Sequence, residues 1–533
     1  MATRRRTGNQ HGQSRPRTVA IHWFRHDLRV ADNRALRAAL DAADDVLPVF
    51  VLDEDAMGRW CPGGAGRWWL HGSLRSLSDR LSVLGSPLLL RRGSAASIIP
   101  ALARELDAAT VHAGEAHEPW LRTLDETVSA ALAADNRRLL FHRTATLREQ
   151  DPIRSKTGTR YGVYAPYARA CRALAAPDPP LDPPGSIPGP PDAPTGDALD
   201  DWDLLPTRPD WAGGLRAAWH PGETGAADRL GEFMRDRLPG YKASRLVPGD
   251  PRGTSMLSPH LRWGELSPGQ VWHAAKNAAG TDPKSRDGHE AFESELLWHD
   301  FSAYLLRFNP HMPEEPLRPA FAALRWRKDP AELHAWQRGL TGIPIVDAGM
   351  RQLWRTGWMH NRVRMIAGSF LCKHLLMHWL DGEAWFWDTL CDADLSVNSA
   401  SWQWVAGSGI DSQPFFRVFN PVAQGEKFDA DGAYVRQYVP ELARLPDRWL
   451  HRPFEAPDAV LRDAGIRLGQ DYPAPVVDLK LGRDRALAAF RDDVRPAAAK
   501  AAAARNATAP ADERPFSRRV APRTRKSAGT GAA

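Results

Sequence analysis

The sequence predicts two folded parts in series: an α/β N-terminal domain built on a Rossmann-like parallel sheet, then a larger all-α domain. Three observations predict this. Between Thr18 and Arg143, short apolar runs alternate with helical patterns, the order that builds a parallel sheet. Residues 177–194 then hold nine prolines in 18 positions, too many for a helix or an inner strand. From Gly231 to about Glu441 the strand signals largely vanish and long helical patterns dominate.

The strands in order are "TVAIHWF", "VLPVFVLD", "PLLLRRG", "TVHAG" and "LLFHR", with helical stretches such as "RWWLHGSLRSLSDRLSVLG" between them. No GxGxxG follows the first strand, so ordinary dinucleotide binding by this sheet has no support. The expected boundaries are a basic tail over 1–17, the α/β domain over 18–148, a Pro-rich connection over 149–205, the helical domain over 206–485 and an Ala/Arg-rich tail over 486–533. Both tails read as disordered.

At 533 residues the chain exceeds one ordinary core, and 43% hydrophobic with 25% charged residues is the balance of a soluble globular protein. No apolar run approaches the roughly 20 residues that cross a bilayer, and no secretory signal opens the chain, so a cytoplasmic location and no membrane partner are expected. Cys61, Cys171, Cys372 and Cys391 form no CxxC pair, which argues against a disulfide framework and a metal site. The net charge of +6 looks like a nucleic-acid signal until it is located: five arginines in 1–17 and six basic residues in 514–533 leave about −5 for the body. Any anion-binding surface there must be a local patch.

Tryptophan outnumbers tyrosine by 21 to 8, and 16 of the 21 indoles lie beyond residue 200, more than packing alone requires. In "FESELLWHDF", Glu295, Trp298 and His299 stand at i, i+3 and i+4, on one face of a helix. Asn361, Arg364 and Met365 repeat that spacing in "NRVRM", after Gly357 as a helix end. "CDADLSVNSASWQW" adds two aspartates, an amide and two indoles with no neutralising cation. "GTSMLSP" offers hydroxyls and backbone N–H groups at a helix start, a means of holding a pyrophosphate. Acids, amides and indoles converging from separate helices describe a pocket for a flat, polar, aromatic ligand.

These stretches, with "WFRHDLRVADNRAL", "WQRGLTGIPIVDAGMRQLWRTGWMHNRVRM" and "FNPVAQGEKFD", match a family over residues 18 to about 480. The chain closely resembles the photolyase/cryptochrome flavoproteins, most nearly the bacterial class I cyclobutane pyrimidine dimer (deoxyribodipyrimidine) photolyases. The resemblance implies a monomer with an α/β antenna-binding domain and a helical catalytic domain holding FAD, acting on UV-damaged DNA. Tyr241, Thr254, Ser255, Met256, Leu257 and Ser258 would hold the phosphates and ribose of the FAD. Phe292, Arg364, Asp392 and Asp394 would line the flavin, with Asn398 against its N5. An amide there, where plant-type cryptochromes have Asp and animal-type ones Cys, favours the fully reduced flavin that donates in repair.

Trp402, Trp379 and Trp326 match the family's photoreduction relay, running from the flavin to the surface. Glu295, Trp298, Asn361, Met365 and Trp404 match the dimer pocket, and Arg245, Arg362 and Gln424 match positions beside the DNA backbone. Extrusion of the lesion is a known property of this enzyme class rather than something these residues reveal. Relatives of the (6-4) class carry histidines where Asn361 and Met365 stand.

Departures from the pattern are His299, grouped here with the DNA contacts, where relatives usually have Arg; Phe292, where a Trp is usual; and "NSASW" for "NNGGW". "HEPWLR" departs from the Asn–Glu of folate-binding relatives, so an antenna chromophore stays open between a deazaflavin, a folate, another flavin and none. The function so implied is light-dependent repair of cyclobutane pyrimidine dimers by an electron from excited reduced FAD. The alternatives are a cryptochrome-like blue-light sensor with the same FAD and relay, and a flavoenzyme indifferent to light.

Overall fold

The computed structural model describes residues 17–250, 252–412, 414–415 and 417–508; the strongly basic stretches expected as tails lie mostly outside these. Five strands form one sheet: β1 (Val19–Phe24), β2 (Asp45–Leu52), β3 (Leu89–Arg92), β4 (Thr110–Gly114) and β5 (Arg138–His142). All pair in parallel, in the order β3-β2-β1-β4-β5. All eight residues of β2 are buried, as a strand covered by helices on both faces requires. The chain leaves β1 toward β2 and β3 and returns on the other side as β4 and β5. The crevice beyond the C-terminal ends of β1 and β4 is therefore a topological switch point, where such sheets bind ligands.

The Pro-rich connection is not a free spacer. Ile187 is fully buried, its N–H donates to Leu84 O at 2.7 Å, and Pro188 O accepts from Val46 N–H at 2.7 Å. The connection also holds one α-helix, Tyr164–Arg172, and a short 3-10 helix, Leu199–Trp202. Beyond it, long helices build the second core, among them Pro283–Phe308, Pro344–Thr356, Asn361–Ser369, Trp379–Thr389 and Leu395–Ala406.

The C-terminal expectation needs correction. The stretch 486–508, read as disordered, continues a helical course through Leu479–Ala489, Phe490–Val494 and Arg495–Thr508. Alanine carries the highest helix propensity, and Val494 and Phe490 pack against Phe321, Leu324 and Phe415. Low hydrophobicity averaged over the segment hid those two anchors.

The two domains are joined by a clasp between the loop after β1 and the segment His260–Pro268. Leu28 N–H donates to Trp263 O at 3.2 Å and the fully buried Arg29 donates to Gly264 O at 2.9 Å. Gly264 has φ +67°, and a Cβ there would lie 2.1 Å from His26 O, so only glycine allows this approach. Glu265 lies buried beside it. It accepts from Trp69 Nε1 at 2.9 Å, Gly222 N–H at 2.7 Å, His260 Nδ1 at 2.5 Å and the Ser73 hydroxyl.

Truncating Glu265 would leave an indole N–H, a backbone N–H and an imidazole without their acceptor. Glu265→Ala is expected to destabilise the protein by about 3 kcal/mol, read as a fall of several degrees in melting temperature. Glu265→Gln, which keeps part of the set, should fall less.

Candidate functional site

Residues expected to act together come from distant parts of the sequence. Phe292, Glu295 and His299 form one stripe of the Pro283–Phe308 helix. At its upper end Phe292 packs in an aromatic trio, 4.7 Å from Phe233 and 5.4 Å from Tyr241 between ring centroids. Glu295 accepts from Arg245 Nη2 at 2.5 Å. Burial pushes the Glu295 carboxyl above its ordinary range, against the opposing pull of Arg245 and Arg362.

Trp298 stacks on Tyr164, with centroids 3.7 Å apart and planes 7° from parallel. Tyr164 belongs to the connection helix, its hydroxyl donating to Ser294 O at 2.8 Å. The sequence reading missed Tyr164; its only signal was an aromatic beside a proline-rich stretch, which names no partner.

The Asn361–Ser369 helix is set by His360, whose Nδ1 accepts from Arg362 N–H at 3.2 Å and whose own N–H donates to Gln352 Oε1 at 3.1 Å. This start leaves Asn361 exposed, with Arg362 over the Phe428 ring at 4.6 Å. Met365 follows Asn361 by one turn. Gln424 lies one turn before Phe428 in the Pro421–Phe428 helix, so Arg362 and Gln424 belong to one surface.

The "GTSMLSP" segment carries a strained residue. Met256 has φ +53°, uncommon for a residue other than glycine and frequent at ligand sites. Thr254 O accepts from Arg237 at 3.2 Å, Leu257 N–H approaches Ser255 Oγ at 3.4 Å, and Ser258 Oγ accepts from Trp358 Nε1 at 3.2 Å.

The acids of "CDAD" have separate fates. Asp392 pairs with Arg364 Nη2 at 2.7 Å, while its buried Oδ1 finds no partner among the described residues. Asp394 caps the Leu395–Ala406 helix, accepting from Val397 N–H at 2.9 Å and Ser396 Oγ at 2.5 Å. Burial alone would push the Asp394 carboxyl up; His299 and Arg262 outweigh it and hold it below the ordinary range. Asn398 is buried and its Nδ2 donates to Glu383 O at 3.1 Å, which leaves the amide oxygen turned to the other side. An orphaned carboxylate oxygen, a strained loop of backbone N–H groups and a fixed amide fit a dinucleotide with a polar ring.

His299 is the residue placed differently from expectation. It lines a polar cavity between the domains with His117, Glu118, Arg262 and Asp394, not the mouth formed by Glu295 and Arg245. One further turn of helix, about 5.4 Å, carries it to the sheet domain. Glu118 pairs there with His26 at 3.0 Å. A neighbouring crevice at the switch point is lined by Trp23, Arg25, Trp120, Leu121, Arg262 and Trp263.

Trp402 is buried against the Trp379–Thr389 helix, where a Cβ on Gly382 would fall 2.1 Å from its ring. Trp379 starts that helix and is buried; Trp326 is half-buried on the loop before Asp329; Trp404 is half-buried two residues beyond Trp402. Glu383, also missed from sequence, is fully buried on that helix and accepts from Ser399 Oγ at 2.5 Å. Burial pushes its carboxyl up to about 8. Among the described residues no cluster could hold a metal ion.

A raised carboxyl keeps its proton in the folded chain while the unfolded chain loses it, so Glu383 lowers stability as pH rises from the ordinary range toward 8. Glu383→Gln is expected to melt near the wild-type temperature at pH about 5 and a few degrees above it at pH about 8. Thermal scans across that window test this.

Residues 20–185 match the family model described as DNA photolyase, and residues 292–492 match that described as the FAD binding domain of DNA photolyase. A deoxyribodipyrimidine photo-lyase of Agrobacterium fabrum is 46% identical over 473 residues, 88% of this chain and 97% of that protein. Cryptochrome-2 of Arabidopsis thaliana is 36% identical over 492 residues, 87% of this chain and 77% of that protein. A crystal structure of a bacterial class III photolyase from Agrobacterium tumefaciens superposes with a TM-score of 0.87 at 46% identity, covering 90% of this chain and 99% of that one. The chain belongs to the photolyase/cryptochrome family and carries that family's FAD-binding domain.

Proposed function

We propose that this protein repairs cyclobutane pyrimidine dimers in DNA under blue light, and that it is a class III enzyme rather than the class I form its motifs suggest. The observation that carries the reading is the mouth at Glu295: a half-buried acid with a raised pKa, two guanidinium groups in its field and an indole held flat beside it. The 46% identity with a class III photolyase over 90% of the chain supports the class.

Each group has work that follows from its chemistry. Arg245 and Arg362 attract phosphates and supply the positive patch that a net-negative body needs. Trp298, backed by Tyr164, and Trp404 offer faces on which extruded bases stack, each worth about 1–3 kcal/mol, comparable with the cost of extrusion. When a phosphate draws Arg245 away, Glu295 loses its cation and takes up a proton. As a neutral acid it donates a hydrogen bond to a dimer carbonyl, where charge develops.

Arg364, Asp392, Asn398 and the Thr254–Ser258 segment would hold FAD, whose reduced form would supply the electron on absorbing light. Asn398 presents an amide, which cannot release a proton as a carboxylic acid can. Trp402, Trp379 and Trp326 carry an electron inward when the cofactor has become oxidised. A flat antenna chromophore, whether deazaflavin, folate or flavin, fits the Trp-lined crevice at the sheet's switch point.

The cryptochrome relative at 36% identity favours a light sensor as the second reading. One assay separates them. Dark-reduced protein mixed with duplex DNA holding thymine dimers should clear the dimers under blue light and leave them in darkness; a sensor leaves them in both.

Glu295→Ala is expected to lower repair yield several-fold with FAD still bound. Because a raised carboxyl is more fully protonated at lower pH, yield in the wild type should rise as pH falls toward the ordinary carboxylate range and be flat in the variant. Tyr164→Leu should weaken affinity for dimer-containing DNA roughly 2–10-fold, with Tyr164→Phe near wild type, since an aromatic pair is worth about 0.5–1.5 kcal/mol. Filter-binding titrations decide it.

A further inference from the structure

Between Trp379 and Trp326 stands a third ring. His378 lies 5.1 Å from Trp326 and 5.8 Å from Trp379 between centroids, tilted 53° and 31°. It is half-buried and caps the Trp379–Thr389 helix, its Nδ1 accepting from Leu380 N–H at 3.1 Å.

That cap fixes the chemistry of the ring. A nitrogen that accepts a hydrogen bond has no proton, so the neutral imidazole carries its hydrogen on Nε2. Protonation would have to break the cap. The charged groups that act on the ring are Asp381, one turn along the same helix, and Lys328, from the loop that follows Trp326. Burial disfavours the cation, Asp381 opposes this and Lys328 reinforces it, with a net downward shift.

A positive charge at this point would repel an oxidised indole on either side. An unoccupied Nδ1 could also take the indole proton and strand the oxidised site midway. The capped ring does neither. It fills the gap with a polarisable, uncharged group in contact with both indoles.

We propose that His378 is a working part of the electron relay: its neutral ring is the contact through which an electron passes from Trp326 to oxidised Trp379. The inference rests on the relay reading above. In the step, Trp326 gives up one electron, Trp379 regains the one it lost toward the photoexcited oxidised flavin, and His378 is neither oxidised nor protonated. A thiol reductant in solution then refills Trp326.

The test separates the ring from the cap. His378→Asn keeps a capping side chain and removes the ring; His378→Phe restores a ring and loses the cap. Oxidised holoenzyme with a thiol is illuminated, flavin reduction is followed by absorbance, and the yield of oxidised indole is followed by laser-flash transient absorption. Expected are an at least threefold slower photoreduction and a lower indole signal in His378→Asn, recovery of most of both in His378→Phe despite a lower melting temperature, and unchanged repair by dark-reduced samples of both. Proton NMR, with the His378 resonance assigned by its loss in His378→Asn, should show a titration midpoint below about 6.5.

Photoreduction by His378→Asn within 1.5-fold of wild type, or a midpoint above that range, overturns the proposal. Trp326→Phe serves as the control. If it is slow while His378→Asn is not, only the role of His378 falls; if Trp326→Phe photoreduces like wild type, the relay reading falls and takes this inference with it.

Discussion

The architecture depends on the buried polar clasp between the loop after β1 and the Gly264–Glu265 corner. Neither half is stable alone as placed: Arg29 is fully buried and donates to Gly264 O, while Glu265 is almost fully buried and accepts from Trp69 and Gly222. Charged groups withdrawn from water need hydrogen-bond partners, and here Gly264 O for Arg29, and Trp69 and Ser73 for Glu265, supply them across the domain boundary. The clasp therefore sets how the sheet's switch point faces the helical domain. The crevice lined by Trp23 and Trp263 and the cavity lined by His117 and His299 both exist because of it.

Electrostatics divides the acids of the helical domain by role. Asp392 is paired with Arg364, while Asp394 caps a helix N-terminus with His299 and Arg262 nearby, which against the push of burial hold its carboxyl below the ordinary range. Glu295 and Glu383 are arranged the opposite way, with burial pushing each carboxyl up. Glu383 has a hydroxyl for a partner and no cation paired with it, and burial outweighs the pull of Arg59, so it holds the Trp379–Thr389 and Leu395–Ala406 helices together as a neutral acid. Glu295 has a cation, Arg245, that an anionic ligand could draw away. A buried acid whose partner can leave is the kind of group that changes protonation on binding.

Much of the site was legible because its residues lie in local patterns. Glu295 and Trp298 share a helix face by spacing, Gly357 ends a helix with φ +65°, and the five strands announced themselves as short apolar runs. What spacing could not reveal was which neighbour each group would meet. Tyr164 lies 134 positions before Trp298, and Glu383 touches Ser399 from another helix; no periodicity links such pairs. His299 was misplaced because shared helical spacing says that residues lie on one face, not that they end in one pocket.

The sequence by itself determined the sheet, the helical domain, the family and the identities of the chemical groups, since strand and helix periods and long motifs are properties of neighbouring residues. Only the tertiary structure decided which acids are neutral, which ring backs Trp298 and which ring stands between Trp379 and Trp326. It also decided that residues 486–508 are helical, anchored at Phe490 and Val494, rather than a tail. The reason is physical: protonation, stacking and the stability of a marginal helix depend on burial and on groups far away in the chain, and both come into being only when the core closes.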